Sequence, residues 1–337
     1  MKRVTQKTIA EELHTSTVTV SNALSGRGGV SEQMRSRILQ TAWKLGYQTT
    51  AQAAGSVTLS VGVIVAARYM AVGKSFYWSM YQELVRALFP VQGISMLEIV
   101  EPEAEQGLHL PAALESGDNN ALIVIGAMSP EYLTFLTRSA QIPVVLLDSR
   151  DPDLDCCAVL SGNYTGMYRM TQCLIDHGFR KIGFAGDLTE NDNILDRYFG
   201  YRAAMEDAGL AIIPEWVIND QDPALEAHLP ARLPDAFACY NDLAAVRLTR
   251  VLSRRGIRIP EDLSLVGYDD YLADDIFNHT LTTCHVDMKR MAELAVQLAD
   301  RGVRGQWTPG QLLQVDCPMI ERSSVRDLSG TGTAGKE

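Results

Sequence analysis

The chain has 337 residues, of which 46% are hydrophobic and 21% charged, and its formal net charge is −11. This composition is typical of globular proteins and excludes a disordered or fibrous chain. The length predicts two or three domains, because single cores rarely exceed about 250–300 residues. No segment reaches the roughly 18 apolar residues of a membrane span. The first residues lack the apolar run of a signal peptide, so we expect a cytoplasmic protein.

The charge is unevenly distributed along the chain. Residues 1–47 carry seven basic and three acidic side chains, a net charge of +4. The remaining residues carry 23 basic and 38 acidic side chains, a net charge of −15. A small basic head on a large acidic body is expected when only the head contacts the phosphates of DNA.

The cysteines form no CxxC pair and no Cys/His spacing typical of a metal site. They lie in apolar segments, which favours buried free thiols in a reducing compartment. We therefore expect neither a metal ion nor a cofactor. The six cysteines are Cys156, Cys157, Cys173, Cys239, Cys284 and Cys317.

Residues 1–47 predict a domain of three short helices. Polar residues that can cap a helix open the segments Thr5–Leu13, Ser16–Leu24 and Ser31–Leu45, and Gly46 closes the third. Apolar residues recur within them at helical spacing, as one small core requires. Residues 48–58 are polar and small and predict a linker.

The first two helices have the pattern of a helix-turn-helix that reads DNA. The second helix carries small polar side chains and no acidic ones, as a helix in the major groove requires. Thr17, Val18 and Asn22 share one face, on which Asn22 can pair with an adenine edge and Val18 can touch a thymine methyl. The residues predicted to contact the DNA backbone instead are Thr5, Ser16, Thr19, Ser21 and Arg27.

Residues 59–326 alternate short apolar runs with longer helical segments. This alternation predicts Rossmann-like lobes built on mainly parallel sheets, and the length favours two α/β lobes with a cleft between them. We expect a lobe boundary near 150–160, return crossings near 280 and 312, and a disordered tail at 327–337. The predicted strands are 59–65, 94–100, 121–125, 144–147, 181–185, 236–239 and 263–268, and the predicted helices are 76–89, 165–177, 195–208 and 243–255.

Polar side chains stand at the expected carboxyl ends of three strands, where ligands of such sheets bind. A guanidinium, a carboxamide and carboxylates there suit the hydroxyl groups of a sugar, and aromatic residues ahead of the first helix could form a stacking wall. The predicted effector-binding residues are Phe76, Tyr77, Asp148, Arg197, Asn241 and Asp269.

Several motifs resemble the lactose-repressor (LacI/GalR) family. In the head they are Val4-Thr-x-x-x-Ile-Ala, Ser16-x-x-Thr-Val-Ser21 and Leu45-Gly-Tyr47, and in the sensor they include Arg197-x-x-Gly200 and Ile259-Pro-Glu-Asp-Leu-Ser-Leu-Val-Gly-Tyr-Asp-Asp270. The resemblance implies a helix-turn-helix head, a periplasmic-binding-protein-like sensor, and a homodimeric repressor on a pseudo-palindromic operator. It also implies that Arg197, Asn241 and Asp269 contact the effector, whereas Asp242 caps its helix.

The sequence departs from the family pattern in four places, one of which is His279, where the family has proline before Leu-Thr-Thr. His14 stands in the turn where the family has glycine, and His tolerates a positive φ better than most residues. The linker is short and lacks the leucine that the family wedges into the minor groove, so it either forms a short helix at Thr50–Ala54 or stays extended. Ser149 stands where purine-sensing members have an aromatic residue, which disfavours a purine.

The sequence disfavours two other classes of protein. An enzyme is disfavoured because the chain lacks the G-x-G-x-x-G, P-loop, H-E-x-x-H and G-x-S-x-G motifs. A transport-type carbohydrate-binding protein without a DNA-binding role would need a signal peptide and no basic head. Within the regulator class, the effector remains open between a sugar or sugar phosphate and a nucleoside, an amino acid derivative or a phosphoprotein.

The sequence therefore predicts a regulator whose operator affinity is controlled allosterically. Effector bound between the lobes would change their angle and the spacing of the two heads. We expect a homodimer, because one head buries too little groove for specific affinity. The helical pattern at Met288–Arg301 is the candidate pairing surface.

Overall fold

The structure is a computed structural model, and it describes residues 5–24, 30–31, 34–35, 37–38, 41, 58–70, 75–271 and 280–329. Arg27, most of the third predicted head helix and the linker up to residue 57 lie outside the described residues. The predictions made for them, including the short helix at Thr50–Ala54, stay predictions.

The head begins with two helices whose starts are capped as predicted. Helix α1 spans Gln6–Glu12, and the hydroxyl of Thr5 accepts from the backbone N–H of Thr8 while the Thr8 hydroxyl accepts from the N–H of Thr5. Helix α2 spans Thr17–Leu24, and the hydroxyl of Ser16 accepts from the N–H of Thr19 at 2.9 Å. These bonds satisfy N–H groups that have no partner within the helix.

The turn between these helices has the predicted left-handed conformation. His14 has a φ of 49° and ends the reversal that lets α2 cross α1. Arg35 donates from Nη1 to the carbonyl of Ala23 at 3.2 Å, which ties the following segment to the end of α2. The buried residues of the head core are Ile9, Ala10, Val20, Ala23 and Ile38.

The first lobe is built on a sheet of six parallel strands in the order β11-β5-β4-β3-β1-β2. Its central strands are buried throughout, as expected for a parallel sheet covered on both faces. Strand β2 lies at an edge and alternates between exposed and half-buried residues. The strands are β1 (Ser60–Ala66), β2 (Ile94–Val100), β3 (Ala121–Ile125), β4 (Val144–Leu147), β5 (Cys157–Ser161) and β11 (Leu312–Val315).

The second lobe is built on a sheet of four parallel strands in the order β7-β6-β8-β9. Its three longer strands were predicted from apolar runs, whereas the two-residue β7 was not. These strands are β6 (Ile182–Ala185), β7 (Val217–Ile218), β8 (Ala236–Cys239) and β9 (Ser264–Val266). The two sheets confirm the predicted architecture of two α/β lobes with parallel sheets.

The chain crosses between the lobes three times. It leaves the first sheet after Ser161 and returns after β10 (Thr283–Cys284), which pairs antiparallel with β12 (Met319–Ile320). It crosses for the last time after Val315. The boundaries predicted near 150–160 and 312 are therefore too early, because the unpredicted strands β5 and β11 extend the first lobe by one strand at each place.

The helices flank the sheets, and those that were predicted start within three residues of the predicted segments, whereas the second, third, fourth and seventh in the following list were not predicted. They are α3 (Phe76–Leu88), α4 (Pro102–Gln106), α5 (Ala112–Glu115), α6 (Pro130–Ser139), α7 (Asn163–Asp176), α8 (Asp192–Asp207), α9 (Leu225–His228), α10 (Asp242–Arg254) and α11 (Met288–Val303). Helices α7 and α8 pack at very close range. A Cβ on Gly200 would lie 2.2 Å from the carbonyl oxygen of Tyr164.

The helix at Met288–Arg301, the candidate pairing surface, uses its apolar face within its own chain, and its role in pairing stays a prediction. The apolar face of α11 packs within the chain, against α3 and the first sheet. Its outer face is charged, with Lys289 and Arg290 exposed. The amphipathic pattern of this helix therefore reflects the core of its own lobe. The buried residues on that face are Met291, Ala292, Ala295, Val296, Leu298 and Ala299.

The prediction of a disordered tail is wrong for residues 327–329. The N–H of Leu328 donates to the carbonyl of His177 at 2.8 Å, and its side chain packs against the core. The small residue Gly178 leaves room for this contact, since a Cβ there would lie 3.1 Å from that of Leu328. Residues 330–337 lie outside the described residues.

The cysteines are free thiols, as predicted, and five of the six are buried while Cys156 is half-buried. Within the described ranges, no helix combines the length and the apolar character needed to cross a bilayer.

Candidate functional site

Two aspartates at the carboxyl ends of strands have left-handed backbones. Asp148 follows β4 with a φ of 61°, and Asp269 follows β9 with a φ of 102°. Asp tolerates positive φ better than most side chains. Both are buried, with 3% and 9% of their surface exposed. One aspartate comes from each lobe, so the strand ends bring them to opposite sides of the interlobe cleft.

Arg197 lies between these carboxylates and is held from three directions. It donates from Nε to Asn163 Oδ1 at 2.8 Å and from Nη1 to the carbonyl of Tyr240 at 2.7 Å. Its guanidinium lies over the ring of Tyr268 at 3.8 Å and 3.2 Å from Asp269 Oδ1. Burial alone would lower the pKa of Arg197, but the carboxylates of Asp269 and Asp148 raise it above its ordinary value. The guanidinium therefore stays charged although it is 5% exposed.

The Asp148 carboxylate is only partly satisfied. Its Oδ2 accepts from the hydroxyl of Tyr77 at 3.1 Å, whereas its Oδ1 has no hydrogen-bond partner among the described residues. Burial raises the pKa of Asp148 to about 6, against the opposing effects of Arg197 and of the hydrogen bonds. Burial also raises the pKa of Asp269 well above its usual range, and its Oδ1 accepts no hydrogen bond despite the ion pair.

Aromatic side chains form one wall of the cleft, where the sequence predicted Phe76 and Tyr77. Tyr77 packs against Tyr69 with ring centroids 4.7 Å apart, and Phe76 packs edge-on against Tyr77 and Tyr271. Tyr69 and Tyr271 were missed because neither lies at a predicted strand end or helix start. They join the wall because the short turn after β1 and the segment after β9 both end at the cleft.

The helix cap predicted for Asp242 is supplied by Asn241 instead, and the effector contact predicted for Asn241 stays a prediction. Asn241 caps α10, since its Oδ1 accepts from the N–H of Ala244 at 2.8 Å. Asp242, predicted to be the cap, instead accepts from Thr283 Oγ1 at 2.6 Å and from the N–H of Tyr271 at 2.9 Å. Capping uses one of the two lone pairs of the Asn241 amide oxygen, which leaves the second lone pair and the amide nitrogen for other contacts.

Three sets of polar contacts join the lobes across the cleft. Asn193 donates from Nδ2 to the carbonyl of Asp148 at 2.9 Å, and Arg150 pairs with Asp196 at 3.1 Å. The Tyr271 hydroxyl lies 2.9 Å from the hydroxyl of Ser79 and donates to the carbonyl of Ser75. None of these contacts was predicted, because each pairs residues that are distant in the sequence. They hold the two lobes together.

A cavity of about 390 Å³ opens between the end of the first sheet and the loop before α8. Asp148 and Ser149 line it, whereas Arg197, Asp269 and Asn241 do not. The predicted effector residues therefore form two groups. Asp148 lines the cavity, whereas Phe76, Tyr77, Arg197, Asn241 and Asp269 lie outside its lining, with Asp269 paired to the Arg197 guanidinium.

The outer face of α2 is available for contact, as a DNA-reading helix requires. Thr17 and Val18 are exposed, Val18 at 66%, and Thr19, Ser21 and Asn22 are half-exposed. The hydroxyls of Thr5 and Ser16 serve as helix caps, which fixes the ends of both helices.

The chain is similar to known proteins over both the head and the sensor domain. The profile of the periplasmic binding protein-like domain matches residues 171–325. The HTH-type transcriptional repressor PurR of Pasteurella multocida (strain Pm70) is 27% identical over 335 residues, covering 96% of this chain and 98% of the relative. PurR of Haemophilus influenzae (strain ATCC 51907 / DSM 11121 / KW20 / Rd) is 27% identical over 346 aligned positions, covering 96% and 99%.

Solved structures share the fold. The complex of the transcriptional regulator CelR with cellobiose matches with a TM-score of 0.70 and 22% identity, over 96% of this chain and 100% of the other. The lac repressor dimer bound to operator and the anti-inducer ONPF matches with a TM-score of 0.67 and 18% identity, over the same shares. The curated relatives match along nearly the whole chain, so the resemblance to transcriptional repressors of the LacI/GalR type extends over the head and the periplasmic-binding-protein-like sensor together.

Proposed function

We propose that this protein is a repressor whose affinity for an operator is set by a small, sugar-like effector bound between the sensor lobes. The observation that carries the proposal is the unpartnered, buried oxygen of Asp148 at a cavity between the two lobes. A buried acceptor without a partner is costly. A ligand that donates to it removes that cost.

On the DNA side, Thr17, Val18 and Asn22 read base edges from α2. The exposed methyl groups of Val18 suit the thymine C5-methyl, and the amide of Asn22 suits the adenine edge. The residues that contact the DNA phosphates and fix the position of the head along the duplex are Thr5, Ser16, Thr19, Ser21 and Arg27. The net charge of +4 on residues 1–47 supports binding to DNA.

On the effector side, Asp148 supplies a directional polar contact from the lining of the cavity. The other predicted residues lie outside that lining and would contact only an effector that reaches past Asp148: Arg197, Asp269 and Asn241 with polar groups, and Phe76 and Tyr77 with an aromatic wall. This combination suits a carbohydrate, whose hydroxyls donate to carboxylates and whose C–H faces pack on rings. The match to a regulator solved with cellobiose supports the same class.

A purine is the second candidate, because the curated relatives are named PurR. Ser149 counts against it. This side chain is buried beside Asp148 and lines the cavity, so no aromatic ring stands there for a base to stack on.

We further propose that two copies pair through the first lobe, along β2 and the adjoining α3. This edge strand exposes Ile94 at 63%, Met96 at 38% and Ile99 at 44%, and Val85 on α3 is 42% exposed beside them. An exposed apolar edge strand is prone to pair with another chain. The lac repressor neighbour was solved as a dimer.

The test is operator binding by the full chain at physiological salt, with DNA from upstream of its own gene and a scrambled duplex as control. Sugars, sugar phosphates and purine bases are added one at a time. We expect selective, salt-sensitive binding that one compound shifts by about 5-fold or more. An Asp148→Ala variant should bind the operator and lose the response, whereas Asp118→Ala, at an exposed loop position, should keep both. Binding that no compound alters would contradict the effector half of the proposal.

A further inference from the structure

The cavity between the lobes is rich in carboxyl groups. The lining includes five of them and one guanidinium: Asp148, Asp151, Asp153, Glu190 and Asp192 against Arg150. Arg150 is already paired with Asp196 at 3.1 Å. The five lining carboxylates form no ion pair with any residue of the described ranges. A site of this kind carries a negative electrostatic potential, which a bound cation would neutralise.

Two buried polar atoms at this cavity have no partner among the described residues. They are Oδ1 of Asp148 and Oγ of Ser149, whose residues are 3% and 6% exposed. An ionised carboxylate oxygen only accepts hydrogen bonds, so the group that completes Asp148 must be a donor. The serine hydroxyl beside it can accept a second hydrogen from the same donor. An ammonium group offers three donors, which suits two neighbouring acceptors.

The surroundings of Asp148 compensate only part of its charge. Burial is the largest influence and raises the pKa of Asp148 to about 6, although the charge of Arg197 and the hydrogen bond from Tyr77 favour the ionised form. Arg197 itself is closer to Asp269, at 3.2 Å. Asp148 is therefore a buried carboxylate whose counter-charge is shared with another carboxylate.

We propose that the effector of this cleft is a cation: a sugar-like molecule with a protonated amine and without phosphate or carboxylate groups. The inference rests on the proposed function, since it assumes that this cavity is the effector site. The amine lies against Asp148 and Ser149, and the hydroxylated part of the molecule extends along the cavity.

Other ligand charges fit this cavity less well. A phosphate would add negative charge within about 8 Å of the lining carboxylates, a distance at which physiological salt screens little. A neutral sugar would supply the missing hydrogen bond and leave the negative charge of the lining uncompensated. The lining therefore favours an amine over a sugar of equal shape.

The experiment uses pairs of sugars that differ only in charge. Isothermal titration calorimetry on the full chain at pH 7 compares glucosamine, galactosamine and mannosamine with their N-acetyl derivatives and with glucose, galactose and mannose. Glucose 6-phosphate, adenine and guanine complete the set. We expect at least one amine to bind ten-fold or more tightly than both of its neutral counterparts, and the phosphate to bind least.

Two sets of variants separate charge from shape. Asp148→Asn removes the charge and keeps the size and the left-handed backbone, which Asn also tolerates. It should reduce the preference for the amine over its neutral counterpart at least five-fold. Removing two mouth charges with Asp153→Asn and Asp192→Asn should reduce it about two-fold. The matched control changes the exposed Asp118→Asn and Glu103→Gln, which do not line the cavity, and should leave the preference unchanged.

The outcomes distinguish this inference from the proposed function. A neutral sugar, a purine base or the phosphate that binds at least as tightly as every amine, and that shifts operator binding, overturns the inference and leaves the proposed function standing. An amine preference that survives Asp148→Asn also overturns it. If no compound binds and none alters operator binding, both are contradicted.

Discussion

Replacing Arg197 with methionine should destabilise the second lobe through the charge that it leaves behind. The guanidinium donates to Asn163 on α7 and to Tyr240 at the end of β8, and it pairs with Asp269 after β9. The Arg197 side chain, which extends from α8, thus connects α7, the end of β8 and the segment after β9. Methionine keeps much of the apolar stem and removes the charge and both donors.

The magnitude follows from burial. Arg197 is 5% exposed and Asp269 is 9% exposed, so water cannot replace the lost partner. Breaking a buried ion pair from one side costs about 3–5 kcal/mol. With Asp269→Asn as well, the carboxylate left unpaired after Arg197→Met is removed, Asp148 stays as it is in the single variant, and both variants lose the same two hydrogen bonds. Each is worth about 1.5–3 kcal/mol when its donor is charged, so the double variant should lie at or above the single one in stability.

The assay is urea unfolding followed by far-UV circular dichroism at pH 7. With an m value of about 3 kcal/mol/M, a loss of about 3 kcal/mol lowers the midpoint by about 1 M. Arg202→Met is the matched control, because it lies on the same helix with its guanidinium in solvent and should leave the midpoint unchanged. A midpoint for Arg197→Met within 0.3 M of the parent (about 1 kcal/mol at this m value) would refute the reasoning. So would a double variant that is less stable than the single one.

Four further outcomes are expected. Asn22→Ala should relax the preference at one operator base pair by about 1–3 kcal/mol, measured with single-base operator variants, and a uniform loss would argue against base reading. Gly200→Ala should lower stability by about 1–3 kcal/mol in thermal unfolding, because its Cβ would meet the Tyr164 carbonyl at 2.2 Å. Ile94→Glu should shift the chain towards monomer in light scattering at unchanged circular dichroism, and a persistent dimer would move the interface elsewhere. Burial raises the pKa of Asp148 from 3.8 to about 6. The folded state therefore loses stability as the pH rises from about 4 to about 6, because in this range the unfolded chain ionises the carboxyl group more readily than the folded chain does. Relative to Asp148→Asn, the parent should lose about 3 kcal/mol between those values, and parallel pH profiles would contradict this.

The fold was predictable where the physical signal is local. Buried parallel strands are continuous apolar runs, and β1, β3 and β4 were predicted from them because tertiary context only reinforces the pattern. Strands β5 and β11 were missed. The first begins within an acidic, cysteine-containing segment, and the second is a half-exposed edge strand of four residues. Their pairing with each other, which sets the lobe boundaries, is a long-range contact.

The candidate site was predictable at strand ends and not between lobes. Asp148 and Asp269 were predicted because the carboxyl ends of parallel strands share one edge, and Arg197 was predicted because it opens a helical pattern. Asn163 and Asn193 carry no sequence signal of their own. They matter because Asn163 Nδ2 donates to Asn193 Oδ1 at 2.9 Å, a pairing that only the folded chain creates.

These two asparagines connect the cleft to the first interlobe crossing. Arg197 donates to Asn163, Asn163 to Asn193, and Asn193 to the carbonyl of Asp148, so one chain of hydrogen bonds runs from α8 to the end of β4. Asn163 also accepts from the Ser161 hydroxyl at 3.0 Å, where the chain leaves the first sheet. We infer that a ligand bound to Asp148 changes this chain of hydrogen bonds, which also fixes the angle between the two lobes. Because the linker leads directly into β1 of the first lobe, that angle can reach the heads only if the first lobes move relative to each other in a dimer. Coupling between effector and operator, of about 1–3 kcal/mol in such systems, should therefore disappear in a monomeric variant that still binds both.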